Sequence, residues 1–136
     1  MPDQKTKSLF ISHAWNQNQR EWKRVIEWLE SEPGLSWRNC SRPDISTLTN
    51  TSSQALAKEM SRQIASAEAV ILLSEMYIES SKWLDYEIKE AMRMNKFIIG
   101  MTPLERGSVP MKIKGASDFM VGGNRSSLIG MVKCMV

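Results

Sequence analysis

The sequence predicts an α/β domain in which helices cover both faces of a central parallel sheet of five strands. Two observations carry this expectation. Short apolar runs alternate with segments whose apolar residues recur at helical spacing, and the connections between runs are long enough for the crossovers that parallel neighbours require. The bulk numbers agree: 136 residues allow one domain spanning 1–136, with 42% hydrophobic and 24% charged residues, as in an ordinary globular chain.

The elements follow in order. Lys7 to Ser12 is an apolar run ending in small and polar residues, which suits a first buried strand entering a loop. Trp22, Val25, Ile26 and Leu29 mark an amphipathic helix from Gln19 to Ser31, stopped by Glu32-Pro33-Gly34. Leu35 to Trp37 is expected as a brief second strand, and Arg38 to Ser53, crowded with Ser, Thr, Asn, Pro and Asp, as a long loop. Leu56, Met60 and Ile64 define a helix from Gln54 to Ala67, leading into a central strand, Ala69 to Leu73. Ser80 and Ser81 offer N-cap oxygens for a third long helix reaching about Asn95, with Leu84, Ile88, Ala91 and Met92 on its inner side. Phe97 to Met101 is the next strand, Pro103 to Pro110 a loop, Phe119 to Val121 a weak strand, and Arg125 onward a closing helix carrying Leu128, Ile129 and Val132. The expected architecture is a flavodoxin-like three-layer sandwich of strand order 2-1-3-4-5, with a ligand crevice at the carboxyl ends of the first and third strands, where the order reverses.

Several function classes are excluded or disfavoured. No apolar run approaches the ~20 residues of a membrane span and the first residues lack a signal-peptide pattern, so no membrane partner and a cytoplasmic location are expected. Cys40 and Cys134 are too few for a disulfide framework and are read as free thiols. The net charge of +3 comes from scattered basic residues, which argues against a nucleic-acid partner. His13 is the single histidine, so no multi-histidine metal site is expected, and the absence of glycine-rich phosphate loops gives dehydrogenase and NTPase readings no support.

Four segments carry a resemblance. Phe10-Ile11-Ser12-His13-Ala14-Trp15 resembles the opening strand and loop of TIR (Toll/interleukin receptor) domains, especially a bacterial TIR-like branch. Trp37-Arg38-Asn39-Cys40-Ser41-Arg42-Pro43 is similar to that branch's W-x-N-x-S-x-P entry to the loop after the second strand. Ser81-Lys82-Trp83-Leu84-Asp85-Tyr86-Glu87 fits its S-x-W-x-x-x-E segment, and the ending from Ile98 through Pro103, Pro110 and Asn124 to Ile129 is similar as well. W-x-x-x-E alone is common on helices; the order of the four along nearly the whole chain carries the resemblance.

The resemblance implies either cleavage of NAD at the nicotinamide–ribose bond or service as an assembly module. The branch includes sensor subunits of Thoeris antiphage systems, which convert NAD into a signalling nucleotide, such as a cyclic ADP-ribose isomer, that a partner effector reads. NAD would be the substrate, with no cofactor and no metal. By the same resemblance Glu87 is the catalytic carboxylate, and the loop around Arg42 and Pro43 serves self-association.

Helical geometry alone places Glu87 roughly 85° from the centre of the expected buried arc, at its boundary and beside Trp83. It would lie in the first two turns, near the crevice. A carboxylate there could hold ribose hydroxyls and stabilise the oxocarbenium-like charge that forms when a glycosidic bond breaks. The bland alternative is a surface glutamate near Lys89 or Arg93. Trp83 could stack on a nicotinamide or adenine ring, or simply pack. Ser12, His13 and Trp15 follow the first strand, Asn39 and Ser41 begin the long loop, and Ser74 and Tyr77 follow the central strand; all are candidate NAD contacts, with ordinary loop or packing roles beside each. Met131 and Met135 are read as packing. A non-catalytic TIR adaptor, and a nucleotide binder or deoxyribosyltransferase-like glycosyl enzyme, remain the competing classes.

Overall fold

The computed structural model describes residues 6–12, 20–41, 53–103 and 109–135 and, within them, every side chain except those of residues 20, 53 and 75–83. Five strands, β1 (Lys7–Ile11), β2 (Trp37–Asn39), β3 (Ala69–Leu73), β4 (Phe97–Met101) and β5 (Phe119–Val121), form one sheet of order β2-β1-β3-β4-β5. Every neighbouring pair is parallel, with Phe10 beside Val70, Val70 beside Ile98 and Gly100 beside Met120. The helices are α1 (Arg20–Glu30), α2 (Ser53–Ser66), α3 (Ser74–Arg93), α4 (Met111–Ala116) and α5 (Arg125–Cys134). This is the α/β, flavodoxin-like arrangement expected from the spacing of the apolar runs.

Side chains alternate across the pleat, so each strand feeds two cores. Leu9, Ile11, Ala69, Ile71, Leu73, Ile99, Met101 and Val121 meet Val25 and Leu29 of α1 and Leu128, Ile129 and Val132 of α5 on one face. Met131 and Met135 pack against that cluster, as read from the sequence. Phe10, Val70, Leu72 and Ile98 meet Met60 and Ile64 of α2, Leu84 and Ala91 of α3 and Ile113 of α4 on the other face. Gly100 belongs to this second face, where a Cβ would come within 2.2 Å of Ser117 Oγ and 2.5 Å of Met120 Sδ, so its missing side chain is what lets α4 and its flanks lie close.

Polar groups seal both ends of the sheet. At the amino end Glu68 Oε2 accepts from Ser8 N (3.1 Å) and Asp118 Oδ2 accepts from Ile98 N (2.8 Å), satisfying strand N–H groups that the ladder leaves open. At the carboxyl end the sealing groups are hydroxyls. Leu73 N donates to Ser12 Oγ (2.8 Å), Ser74 Oγ donates to Met101 O (3.3 Å), and Gly123 N donates to Thr102 Oγ1 (2.7 Å).

Four expectations are corrected. β2 begins at Trp37, two residues later than expected, because Leu35 N still closes the turn onto Glu32 O and Gly34 turns the chain at φ 77°. Arg38 and Asn39 therefore belong to the strand and not to the loop. α3 begins at Ser74 directly after β3, not at a cap on Ser80 or Ser81, since no proline or glycine interrupts Ser74 to Arg93 and two serines do not outweigh the helix formers around them. Met92 is 59% exposed rather than inner, and α4 was not foreseen, being six residues long and containing Gly115. α5 starts where expected, with Asn124 Oδ1 capping Ser127 N (2.9 Å).

Candidate active site

Glu87 is fully buried. Counted from Ser74 it is the fourteenth residue of α3, in the fourth turn and about 20 Å along the helix from the strand end, not in the first two turns. Its direction also differs from the expected one. The fully buried residues of the described part of α3 are Leu84, Glu87 and Ala91, an i, i+3, i+7 stripe. Glu87 lies only about 30° from the centre of the arc that these three residues define. The carboxyl thus belongs to the interior stripe, between two side chains of the apolar cluster that contains Phe10, Met60, Ile64, Val70 and Ile98.

Neither oxygen of Glu87 has a hydrogen-bond partner among the described residues. Burial pushes its pKa well above the usual carboxylate range, because a charge in an apolar surrounding forfeits its hydration. The surface-glutamate alternative fails on this geometry. Arg93 is engaged elsewhere, bonding Glu90 through Nε (2.9 Å) and Nη2 (2.7 Å). Buried polar groups are almost always satisfied, so a buried carboxyl with no partner among the described residues stands out as a cost to folding.

The neighbours of Glu87 on α3 behave differently. Asp85 is exposed and pairs with Lys112 of α4 at 2.7 Å. Glu90 is held down to about 2, chiefly by the Arg93 guanidinium and also by a bond from Ser61 Oγ (2.7 Å). Tyr86 Oη lies 2.5 Å from Ser61 Oγ and also donates to Ala57 O (3.2 Å), so the α2–α3 seam beside Glu87 is polar and directional.

The other candidates from the sequence separate into groups. Ser12 and Ser74 stand together at the carboxyl ends of β1 and β3, both buried, with hydroxyls bridging neighbouring strands. Ser12 Oγ accepts there and keeps its own proton to donate; Ser74 Oγ donates and keeps lone pairs. Asn39 and Ser41 form a local turn in which Asn39 Oδ1 accepts from Ser41 N (2.9 Å) and Ser41 Oγ (2.6 Å), while Trp22 Nε1 reaches Ser41 Oγ at 3.4 Å. Asn39 also lines a cleft beside β2 with Glu30, Trp37 and Arg38. His13, Trp15, Arg42 and Pro43 lie outside the described residues, and Tyr77 and Trp83 are described only as helical backbone. Thr102 was missed by sequence reading; its position directly after β4, matching Ser12 after β1 and Ser74 after β3, was the available signal. Among the described residues no cluster of His, Cys, Asp and Glu could hold a metal ion, and no helix is long and apolar enough to cross a membrane.

By sequence the chain gives no match to a curated protein. By structure it is similar to the CMP N-glycosidase BcmB of Clostridium botulinum, with a TM-score of 0.59 and 16% identity, covering 95% of this chain and 100% of that one, a likeness of fold. The family model described as Thoeris protein ThsB, TIR-like domain, matches residues 10–107, a span that runs from the end of β1 past β4 and takes in the hydroxyl-lined strand ends and Glu87; the chain belongs to that family.

Proposed function

We propose that this chain cleaves the bond between nicotinamide and ribose in NAD, with Glu87 as the catalytic carboxylate, and passes the ADP-ribosyl group on as a signalling nucleotide for antiphage defence. The observation that carries the reading is the bare, buried carboxyl of Glu87. Among the described residues no cation pairs with it, and NAD brings one. A positively charged pyridinium beside Glu87 favours the ionised carboxylate, which in turn stabilises the oxocarbenium-like ribose as the C1′–N bond breaks and its electron pair moves onto the nicotinamide nitrogen. Capture of C1′ by water gives ADP-ribose; capture by an atom of the same molecule gives a cyclic product. Ser12 and Ser74, with His13, Trp15, Asn39, Ser41, Tyr77 and Trp83, are the proposed contacts to the rest of NAD. Self-association through the loop around Arg42 and Pro43, a cytoplasmic setting and an effector that responds to the product complete the reading. The test is incubation of the purified protein with NAD and mass analysis of the products. Nicotinamide release that disappears in Glu87→Gln is the expected result; equal inertness of both proteins at all concentrations and with phage-derived activators would remove the reading.

A second reading draws on the same residue. A carboxyl kept neutral by burial is suited to act as a general acid, which an uncharged leaving base needs and nicotinamide does not. The fold likeness to a CMP N-glycosidase supports a pyrimidine nucleotide as the substrate in that case. Release of cytosine from CMP in place of nicotinamide from NAD would decide for it.

A further inference from the structure

We propose that Ser61 is a positioning residue for Glu87: its hydroxyl, bonded to Tyr86 and Glu90 on the residues that flank Glu87 along α3, fixes the rotation of that helix and with it the direction of the buried carboxyl. The inference rests on Glu87 carrying the chemistry. Among the described side chains, α3 is buried against this core through Leu84 and Ala91, with Ile88 and the Tyr86 ring packed at its edge, and apolar contacts of this kind are non-directional. Glu87 itself makes no hydrogen bond among the described residues that would aim it. Bonds on the flanks of the described part of α3 supply the directional restraint on its rotation.

On one flank stands the Asp85–Lys112 pair, whose side chains are 57% and 34% exposed and which is correspondingly weak. On the other stands Ser61, part-buried, with Tyr86 Oη at 2.5 Å and Glu90 Oε1 at 2.7 Å. At 100° per residue Tyr86 and Glu90 lie about 40° apart on α3 and Glu87 about 60° beyond Glu90 toward the sheet. The three share one side of the helix, the side turned toward α2. Ser61 has a single proton. The charge-assisted bond to the Glu90 carboxylate is the stronger use of it, so the one proton of Tyr86 is shared between Ser61 Oγ at 2.5 Å and Ala57 O at 3.2 Å, and the chain runs from Tyr86 through Ser61 to Glu90, which Arg93 holds from outside. Met60, next to Ser61 on α2, is fully buried in the cluster that surrounds Leu84 and Ala91, so the hub is anchored in the same core as Glu87.

The experiment compares Ser61→Ala, Ser61→Thr and Tyr86→Phe with the wild type in two measurements: kcat and KM for the glycosidic substrate, and titration of the Glu87 carboxyl followed by NMR of carbon-labelled glutamate, assigned by its loss in Glu87→Gln. The expected result is a roughly tenfold lower kcat with KM little changed in Ser61→Ala and Tyr86→Phe, a displaced Glu87 titration in both, and recovery of each in Ser61→Thr. Unchanged titration would overturn the proposal whether or not kcat falls, because any loss would then not run through Glu87. If the wild type cleaves no nucleotide, the glycosidase reading falls and the titration alone decides the positioning. Tyr86→Phe removes one oxygen and keeps the ring, so it reports even if Ser61→Ala does not fold.

Discussion

The two faces of the sheet treat their carboxylates in opposite ways. On the α1–α5 face Glu21 is buried on the stripe of α1 that carries Val25 and Leu29 and is not without a partner, and Glu32 sits at the margin between Arg125 (2.7 Å) and Lys133. The bond from Lys133, with the charge of Arg125 behind it, holds the Glu32 carboxyl below the usual range. On the α2–α3 face Glu87 stands inside the core with no cation beside it among the described residues, and its carboxyl is pushed the other way. The same strands feed both cores, so the difference does not come from the sheet. At the margin of one face the acid is met by two cations; in the other core the carboxyl has no partner among the described residues.

The largest expected effect breaks this contrast at its centre. Glu87→Gln should lower glycosidic turnover by about 10²-fold or more, in line with loss of a group aimed at transition-state charge, while Glu32→Gln leaves turnover unchanged; product release over time for the three proteins checks this. Next is stability. Leu84→Ala, on the same stripe, should cost about 2–5 kcal/mol in denaturant unfolding, whereas Glu87→Leu should be neutral or stabilising at neutral pH because it removes from the same core a carboxyl that no described residue satisfies.

The pH dependence sharpens the contrast further. Since the folded pKa of Glu87 lies above its unfolded value, its stability contribution is complete at pH below about 4.5 and is lost as pH rises through the folded pKa. The melting temperature of Glu87→Gln should therefore match the wild type in acid and exceed it increasingly toward neutral and alkaline pH. In kcat/KM, a cation-stabilising Glu87 gives activity that rises with pH through the same pKa, and a general-acid Glu87 gives activity that falls. The smallest effect concerns the outer pairs. Glu90 is depressed to about 2, so its stabilisation is present above about 4.5 and is lost as pH falls toward 2. Arg93→Ala should narrow the stability difference between pH 5 and pH 2, as acid titration of the two melting temperatures would show.

Much of this was legible in the sequence, and the gaps have physical causes. β3, β4 and β5 were bounded correctly because a strand in a covered sheet is a short apolar run with clear ends. The start of α3 was misjudged because a cap signal is local, whereas the helix is continuous with the strand before it. Glu87 was placed at a boundary because the periodicity was counted over apolar residues alone; the spacing Leu84, Glu87, Ala91 is itself a regular inner stripe once a carboxyl is allowed to be inside. The bonds of Ser61 to Tyr86 and Glu90 join residues 25 and 29 positions apart, and no periodicity encodes which serine meets which tyrosine across two helices.

The hydroxyls that close the carboxyl ends of β1, β3 and β4 have a consequence of their own. Glu68 and Asp118 do the same work at the amino end with charged groups that can only accept. Ser12, Ser74 and Thr102 do it with groups that donate and accept and carry no charge at any pH the fold survives. A ligand arriving at that rim meets a surface whose hydrogen-bonding character is fixed, ambivalent and silent to acid and base, so proton-linked behaviour of binding there has to be written by other side chains.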